Sequence, residues 1–248
     1  MRIAVAGATG AVGSHVVTEL EKAGHEVVPL ARSTGADLRT GAGLVERLEG
    51  VDALIDCISI NSMKAEESRD FFTATTTNMI EAERKVGVAH HVVLSIVGID
   101  KVPTGYYQGK VAQERVVREA GQPYTILRAT QFHEFAEQML VRGKVGPFLM
   151  APRMLSAPVA AVEVAQALVE LGAGEPHHAT IELTGPEQLE MVDMIRAVAK
   201  DRGVTSPIIP VPLGLGAAAK AVRNGDLVSK RAWRVGQQTF REWRRERR

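Results

Sequence analysis

The sequence predicts an α/β fold built on a doubly wound parallel sheet, and three observations carry that prediction. Short runs rich in Val, Ile and Leu alternate with helix-length amphipathic stretches along the chain. The first run, from Arg2 to Ala6, has no polar residue after its opening arginine, as a strand covered on both faces requires. It passes at once into Gly7, Gly10 and Gly13, three residues apart, ahead of Val16, Val17 and Leu20 at helical intervals. Right-handed crossovers between parallel strands then leave a ligand crevice at the carboxyl ends of the strands.

Taken in order, strands are predicted over 2–6, 26–31, 51–58, 91–97, 124–127, 181–184 and 208–211, because these runs are short, apolar and bounded by turn residues. Helices are predicted over 11–23, 43–48, 71–86, 106–119, 132–141, 162–171 and 191–202, the last with Val192, Ile195 and Ala199 along one face. Met191 and Met194 fall on the same helix and read as core packing. Gly24 marks the stop of the first helix. Pro29 conflicts with an interior strand, so a bulge or a shifted boundary is expected there. The stretch 142–158 mixes Gly and Pro with Phe148, Leu149, Met150, Met154 and Leu155, and reads as an irregular apolar segment over the crevice or as ordinary loop packing. The last eight residues carry five arginines and read as a solvated, frayed terminus, with Phe240 and Trp243 hinting at a docked segment before it.

At 248 residues and 45% hydrophobic content the chain fits a single large domain, in which 132–248 supplies most of the substrate side as a small covering region. Lys plus Arg number 30 against 29 Asp plus Glu, a balance that provides no basic field for nucleic acid. A small-molecule partner is expected instead. The one cysteine, Cys57, fits a reducing compartment, and no apolar stretch approaches the ~20 residues of a membrane span. Met1 runs straight into the first strand, so no export leader is expected, and the cytoplasm is the expected location. His90–His91 and His177–His178 have no Cys or carboxylate at ligand spacing, so no metal is expected. The helices 71–86 and 106–119 either pair across a homodimer or face solvent in a monomer.

The glycines point to a ligand class by their separate jobs. Gly7 permits a tight turn, Gly10 lets backbone N–H groups approach a pyrophosphate, and Gly13 lets the helix pack on the strand. The helix N-terminus adds unpaired N–H groups and a positive dipole end. In sites selective for NAD an acidic residue closes the second strand, whereas this chain has Ala31, Arg32 and Ser33 there. A guanidinium beside a hydroxyl suits a 2′-phosphate, so NADP(H) is the preferred cofactor and NAD(H) the alternative. Asp37 and Leu38 are candidate adenine-side contacts. Cys57, Ile58 and Ser59 close the third strand and face the middle of the cofactor, with Cys57 read as a small buried hydrophobe.

Tyr106 and Lys110 stand four apart at the start of a helix, so their side chains share a face. An ammonium near a phenol of pKa ~10 stabilises the phenolate and brings the phenol toward useful acidity. Spacing leaves open whether Tyr106 or Tyr107 acts. Ser95 ends the preceding strand.

The segments GATGAVG at 7–13, LARS at 30–33, LSIVG at 94–98, YYQGKVAQE at 106–114 and PYTILRATQF at 123–132 resemble the atypical, NmrA-like branch of the short-chain dehydrogenase/reductases across almost the whole chain. That resemblance implies a Rossmann-type fold with the dinucleotide on Gly7, Thr9, Gly10, Ala11 and Val12. It implies an adenosine clamp near Arg32 and Asp37, and a nicotinamide end near Ser95, Lys110, Ala129 and Phe132. In active members a tyrosine placed like Tyr106 protonates a carbonyl oxygen while reduced nicotinamide delivers hydride, with the lysine assisting. Where catalytic branches carry a polarising hydroxyl just beyond the position of Ser95, this chain has Ile96 and Val97. Ser95 is therefore expected as a cofactor contact first and a catalytic residue second, and Gln131, His133 and Glu134 are alternative polar groups for a substrate.

The expectation is an NAD(P)H-dependent oxidoreductase acting on a small carbonyl or quinone-like molecule, aromatic ones included. The competing readings are a non-catalytic sensor of NADP(H), which the branch includes, and a tailoring oxidase or monooxygenase-like enzyme of aromatic polyketide metabolism. Sugar-nucleotide epimerisation is disfavoured by the absence of a basic cluster for a sugar diphosphate.

Overall fold

The computed structural model describes residues 1–102, 105–213 and 216–247. In chain order the elements are β1 (Arg2–Ala6), α1 (Gly13–Lys22), β2 (Glu26–Leu30), α2 (Leu44–Leu48), β3 (Ala53–Asp56), α3 (Ala65–Val86), β4 (His90–Ile96), α4 (Tyr106–Glu119), β5 (Tyr124–Ala129), α5 (His133–Arg142), β6 (Lys144–Val145), β7 (Phe148–Arg153), β8 (Leu155–Ser156), α6 (Ala161–Ala173), β9 (Ala179–Thr184), β10 (Leu189–Glu190), α7 (Met191–Asp201), β11 (Ile208–Pro212), α8 (Gly216–Arg223), β12 (Arg234–Val235) and α9 (Phe240–Glu246). Seven strands form one parallel sheet in the order β12-β9-β5-β4-β3-β1-β2, the doubly wound Rossmann-like arrangement that alternation of strands and helices predicts. The chain divides into two compact units, the first comprising Met1–Ser95, Thr104–Arg128 and Val162–Ile181, the second Ile96–Pro103, Ala129–Ala161 and Glu182–Arg248.

In the first unit, Ile3, Ala4, Val5 and Ala6 of β1 are all fully buried, so both faces of the strand are covered. Ala4, Ala6, Val28, Leu30, Leu54, Phe72 and Met79 form the main apolar cluster beneath α3, and each fully buried large side chain contributes roughly 1.5–3 kcal/mol. Helix α3 begins at Ala65, six residues before its apolar periodicity does, with Glu66 and Glu67 in the first turn against the positive end of the helix dipole. Helices α3 and α4 pack on each other within the chain at Gly109, where an added Cβ would lie 2.7 Å from both the Phe72 ring and the Ser68 carbonyl oxygen.

Pro29 sits in β2 with an unbroken register, Val5 opposite Pro29 and Ala6 opposite Leu30. There is neither a bulge nor a shifted boundary, because β2 is the last strand of the sheet. The Pro29 carbonyl accepts from the Thr34 hydroxyl at 2.9 Å and the Arg47 guanidinium at 3.4 Å. Both partners lie on the open side, the side on which an N–H at this position would also project, so no ladder bond is lost.

The second unit corrects two expectations. The stretch 142–158 is not irregular: it forms β6, β7 and β8, with β6 antiparallel to β7, β8 antiparallel to β10, and β11 parallel to β7. The run at 208–211 is thus a strand, but of this separate three-stranded sheet. The arginine-rich tail is also not frayed over 240–246. Thr239 and Glu242 close a reciprocal capping box on α9, and Phe240 and Trp243 are buried and stacked at 5.6 Å. Arg244 bonds Asp201 at 2.6 Å, and Arg248 lies outside the described residues. Among the described residues no helix is long and apolar enough to cross a membrane.

The turn after β1 is tightly packed. A Cβ on Gly13 would lie 2.1 Å from the Gly7 carbonyl oxygen, a backbone atom that cannot swing aside, whereas one on Gly10 would meet that oxygen at 3.2 Å. Gly13→Ala should therefore lower the unfolding free energy by about 2–3 kcal/mol and Gly10→Ala by under ~1 kcal/mol, read as shifts in the urea midpoint. Equal shifts for the two variants would refute the packing role of Gly13.

Candidate functional site

The glycine turn is held between two strand ends. Gly7 adopts a φ of +76° and its backbone lies so close to β3 that an added Cβ would be 2.7 Å from the Cys57 carbonyl oxygen. The Gly10 N–H bonds the Gly7 carbonyl at 2.9 Å, and the Ser14 N–H bonds the Gly10 carbonyl at 3.0 Å. Thr9, Gly10 and Ala11 are exposed, and Val12 is buried as the N-cap of α1. No side chain caps that N-terminus, so apart from the Ser14 N–H its leading amides are left for another acceptor. A bare helix start on an exposed glycine turn fits the diphosphate of a dinucleotide.

Cys57 and Ile58 are buried at the end of β3 while Ser59 is exposed. The Cys57 N–H bonds the Ala6 carbonyl at 2.9 Å, tying the two strand ends together. Burial, reinforced by the neighbouring Asp56 carboxylate, pushes the Cys57 thiol well up, which keeps it an unreactive thiol. Arg32 and Ser33 stand exposed in a single 3₁₀ turn after β2. The Asp37 carboxylate accepts from the Arg39 N–H at 2.8 Å and thereby shapes the next loop, which Asn78 pins through the Leu38 carbonyl at 3.0 Å and the Arg39 carbonyl at 2.9 Å.

Tyr106 and Lys110 leave the first turn of α4 for different partners. The Tyr106 hydroxyl meets the Ser59 hydroxyl at 3.1 Å, and its ring packs edge-on against Phe72 at 5.5 Å. Lys110 is only 3% exposed. Its ammonium donates to Gln113 and lies 4.8 Å from the centre of the Phe72 ring. Burial lowers the Lys110 pKa to about 8, against the pull of the Asp56 and Glu114 carboxylates. Tyr107 is half-buried, and burial pushes its phenol up to about 12.

The Ser95 hydroxyl donates to Glu114 at 2.5 Å, and that carboxylate also takes Arg128 at 2.7 Å and Arg118 at 2.6 Å. Burial alone would raise the Glu114 pKa, but Arg128, Ser95 and Arg118 together hold it below the usual carboxylate range. The motif at 123–132 contains Arg128, yet no spacing in the sequence links it to Glu114. Ala129 and Phe132 belong to the second unit, Ala129 buried with its carbonyl accepting from the Val97 N–H at 3.0 Å, and Phe132 leading into α5 with a bridge to Val159. The alternative substrate groups bind within the same unit: Gln131 to the Leu227 carbonyl at 3.2 Å, His133 to the Gln238 carbonyl at 3.0 Å and Glu134 to the Trp243 indole at 3.0 Å.

A family model described as NAD(P)H-binding matches residues 7–171, well over half of the chain. The chain belongs to this NAD(P)H-binding family. Among curated relatives of the family member, the chloroplastic divinyl chlorophyllide a 8-vinyl-reductase of Zea mays is 26% identical over 160 residues, covering 52% of this chain and 40% of that protein. The photosystem II assembly factor Ycf39 of Synechocystis is 27% identical over 147 residues, covering 53% and 45%. The chain thus spans less than half the length of these relatives. Among solved structures, the NADPH-dependent quinone oxidoreductase QOR2 of Escherichia coli superposes with a TM-score of 0.70 at 20% identity over 98% of both chains. MoeE5 in complex with UDP-glucuronic acid and NAD gives 0.72 at 18% identity over 99% and 97%. These likenesses are of fold.

Among the described residues of this NAD(P)H-binding protein, no group of three or more His, Cys, Asp and Glu is placed to hold a metal ion. The paired histidines at the start of β4 instead serve the interior. His90 bonds the Thr125 hydroxyl at 2.9 Å, and burial lowers its pKa to about 4. His91 bonds Glu83 at 2.7 Å; burial disfavours its charge, but Glu83 and Asp56 outweigh it and raise the pKa. The two act oppositely on stability. As pH falls from ~6.5 toward 4 the unfolded chain takes up a proton at residue 90 that the folded chain refuses, so His90 costs stability on the acid side, whereas His91 gains stability below ~6.5 and loses it as pH rises through its higher folded value. Substituting His90→Gln should therefore reduce the loss of unfolding free energy between pH 6.5 and 4, read from urea denaturation, by on the order of 2 kcal/mol. An unchanged acid slope in a folded His90→Gln protein would show that His90 is not held neutral.

Proposed function

We propose that the protein is an NADP(H)-dependent reductase of a small carbonyl or quinone-like molecule. The observation that carries this reading is the joining, within one unit, of a bare α1 start on an exposed glycine turn with the Tyr106 phenol and the buried Lys110 ammonium. The diphosphate is received on the turn of Gly7, Thr9, Gly10, Ala11 and Val12, where the helix dipole and the uncapped N–H groups at the start of α1 both favour an anion. Arg32 and Ser33, exposed after β2 with no acidic residue beside them, receive the 2′-phosphate of NADP(H), a role for which a planar, permanently charged guanidinium is suited. Asp37 and Leu38 wall the adenosine end, and Cys57, Ile58 and Ser59 wall the middle. When bound, the reduced cofactor supplies hydride.

The residues of the chain supply the proton and its placement. Tyr106, rather than Tyr107, is the acid: its hydroxyl reaches Ser59 at 3.1 Å, while the Tyr107 phenol is held protonated by burial. Ser59 orients the phenol and can return a proton to the phenolate after Tyr106 has given its own to the substrate oxygen. Lys110 sets a positive charge behind the phenolate, which lowers the cost of donating that proton. Ser95 keeps Glu114 anchored and acts only through that ion pair.

A second reading, a nucleotide sensor without turnover, is favoured by one observation: Ile96 and Val97 stand where a polarising hydroxyl is expected, and the Ser95 hydroxyl is committed to Glu114. Mixing the purified protein with NADPH and a panel of quinones and ketones separates the two. The reductase reading expects loss of absorbance at the nicotinamide band, with Tyr106→Phe reducing kcat by about 10²–10⁴-fold while NADPH binding is retained. Flat traces across the panel, together with tight NADPH binding that Tyr106→Phe leaves unchanged, would replace it by the sensor.

The cofactor preference is tested separately. Arg32→Ala should weaken NADPH binding by about 10–100-fold and leave NADH within about threefold, measured by calorimetric titration. Equal losses for both nucleotides would take Arg32 out of the 2′-phosphate role.

A further inference from the structure

We propose that Gln113 and Asp56 are positioning residues that hold the Lys110 ammonium in place, at the head of a buried polar chain running from Lys110 through Gln113 and Asp56 toward His91 and Glu83. The consequence for turnover rests on the reductase reading; the placement of the ammonium does not.

Each link is buried, and the five residues come from four elements: α4 supplies Lys110 and Gln113, β3 Asp56, β4 His91 and α3 Glu83. Gln113, one turn along α4 and fully buried, accepts from the Lys110 ammonium with its amide oxygen and donates to Asp56 with its amide nitrogen at 2.7 Å. An amide is the side chain that can do both at once, so the orientation of the carboxylate is passed on to the ammonium. Asp56 is fully buried at the end of β3, and its other oxygen accepts the Ile58 N–H at 2.9 Å, which fixes the carboxylate plane at the turn leading to Ser59. His91 brings its Nε2 to 3.9 Å from the Asp56 carboxylate, with no hydrogen-bond partner of its own, while its Nδ1 holds Glu83 at 2.7 Å.

The groups facing Lys110 are therefore Asp56 and Cys57 at the end of β3, Gln113 and Glu114 on its own helix, His91 from β4 and the Phe72 ring from α3. Asp56 and Glu114 are the charges that favour the ammonium, and His91 opposes it. Burial among apolar walls lowers the Lys110 pKa to about 8, so the chain of acceptors decides whether the residue is charged at working pH. Gln113 further keeps the ammonium from collapsing directly onto Asp56. Direct pairing would draw it down to the strand end and away from the first turn of α4, where Tyr106 sits.

The test titrates Lys110 itself in the full-length protein, by the pH dependence of its Cε resonance with ¹³C-labelled lysine, assigned through Lys110→Arg. Asp56→Asn removes the favouring charge and should lower the midpoint by about one unit or more. Gln113→Leu removes the acceptor and should lower it as well, whereas Gln113→Glu puts a carboxylate in the same place and should raise it. Opposite signs for the two Gln113 variants are what a merely structural glutamine would not give, and they decide the question even where Asp56→Asn fails to fold. Midpoints that coincide in all folded variants, or that move the same way for Leu and Glu, would overturn the proposal. The high-pH limb of kcat for NADPH oxidation should shift together with the titration midpoint. Wild-type protein that binds NADPH but consumes none overturns the reductase reading alone, because the titration reads the ammonium whether or not a quinone is reduced.

Discussion

A lysine buried to 3% exposure must find its countercharge inside the protein, and much of the polar construction of the first unit follows from that requirement. An isolated ammonium in a low-dielectric interior would shed its proton. Here two carboxylates favour it, Asp56 through the Gln113 amide and Glu114 by its field. Each carboxylate is in turn satisfied: Asp56 by a backbone N–H, Glu114 by Ser95 and two arginines. Both carboxylates and the ammonium are thus matched, and a break in the chain would leave a charge stranded in the interior.

The same burial requires close helix packing, and a single missing Cβ provides it. At Gly109 the helix α4 comes so near α3 that any larger residue would strike the Phe72 ring and the Ser68 backbone. That contact puts Phe72 against both members of the pair, edge-on to Tyr106 and beneath the Lys110 ammonium. The ammonium gains from the ring face what it loses in hydration only in part, which is why its pKa remains depressed. The glycine turn after β1 uses the same device for another end: there the missing Cβ atoms let a helix start against a strand end with its amides uncovered.

What the sequence made legible is what its local periodicity encodes. The alternation of strand and helix, the apolar β1 and the three glycines are all short-range patterns, and the fold and the membership of the NAD(P)H-binding family agree with them. Pairing partners are not short-range. The run 208–211 announces a strand, but nothing within it says that its neighbour is β7, and the Gly and Pro of 142–158 hide three strands that form only because β10 and β11 come back to them. Pro29 looked misplaced until the order of the strands made β2 the edge. The docked α9 was readable: Thr239 and Glu242 at capping-box spacing, followed by a buried Phe240 and Trp243, outweigh the charge of the arginines around them.

The polar interior was the least legible part, and for a physical reason. Glu83, His91, Asp56, Gln113 and Lys110 come from α3, β4, β3 and α4, so only the Lys110–Gln113 spacing is local, and a Lys-x-x-Gln pair on a helix surface carries no signal. The meaning of that pair depends on Gly109 bringing α4 against α3, and on β3 ending in an aspartate rather than an apolar residue. Asp56 interrupts an otherwise apolar strand, at a position where a carboxylate has to be matched or removed. A charged residue closing a buried strand is thus the one feature by which such a chain of partners announces itself in sequence, and its match is to be sought on the helix that crosses the strand's carboxyl end.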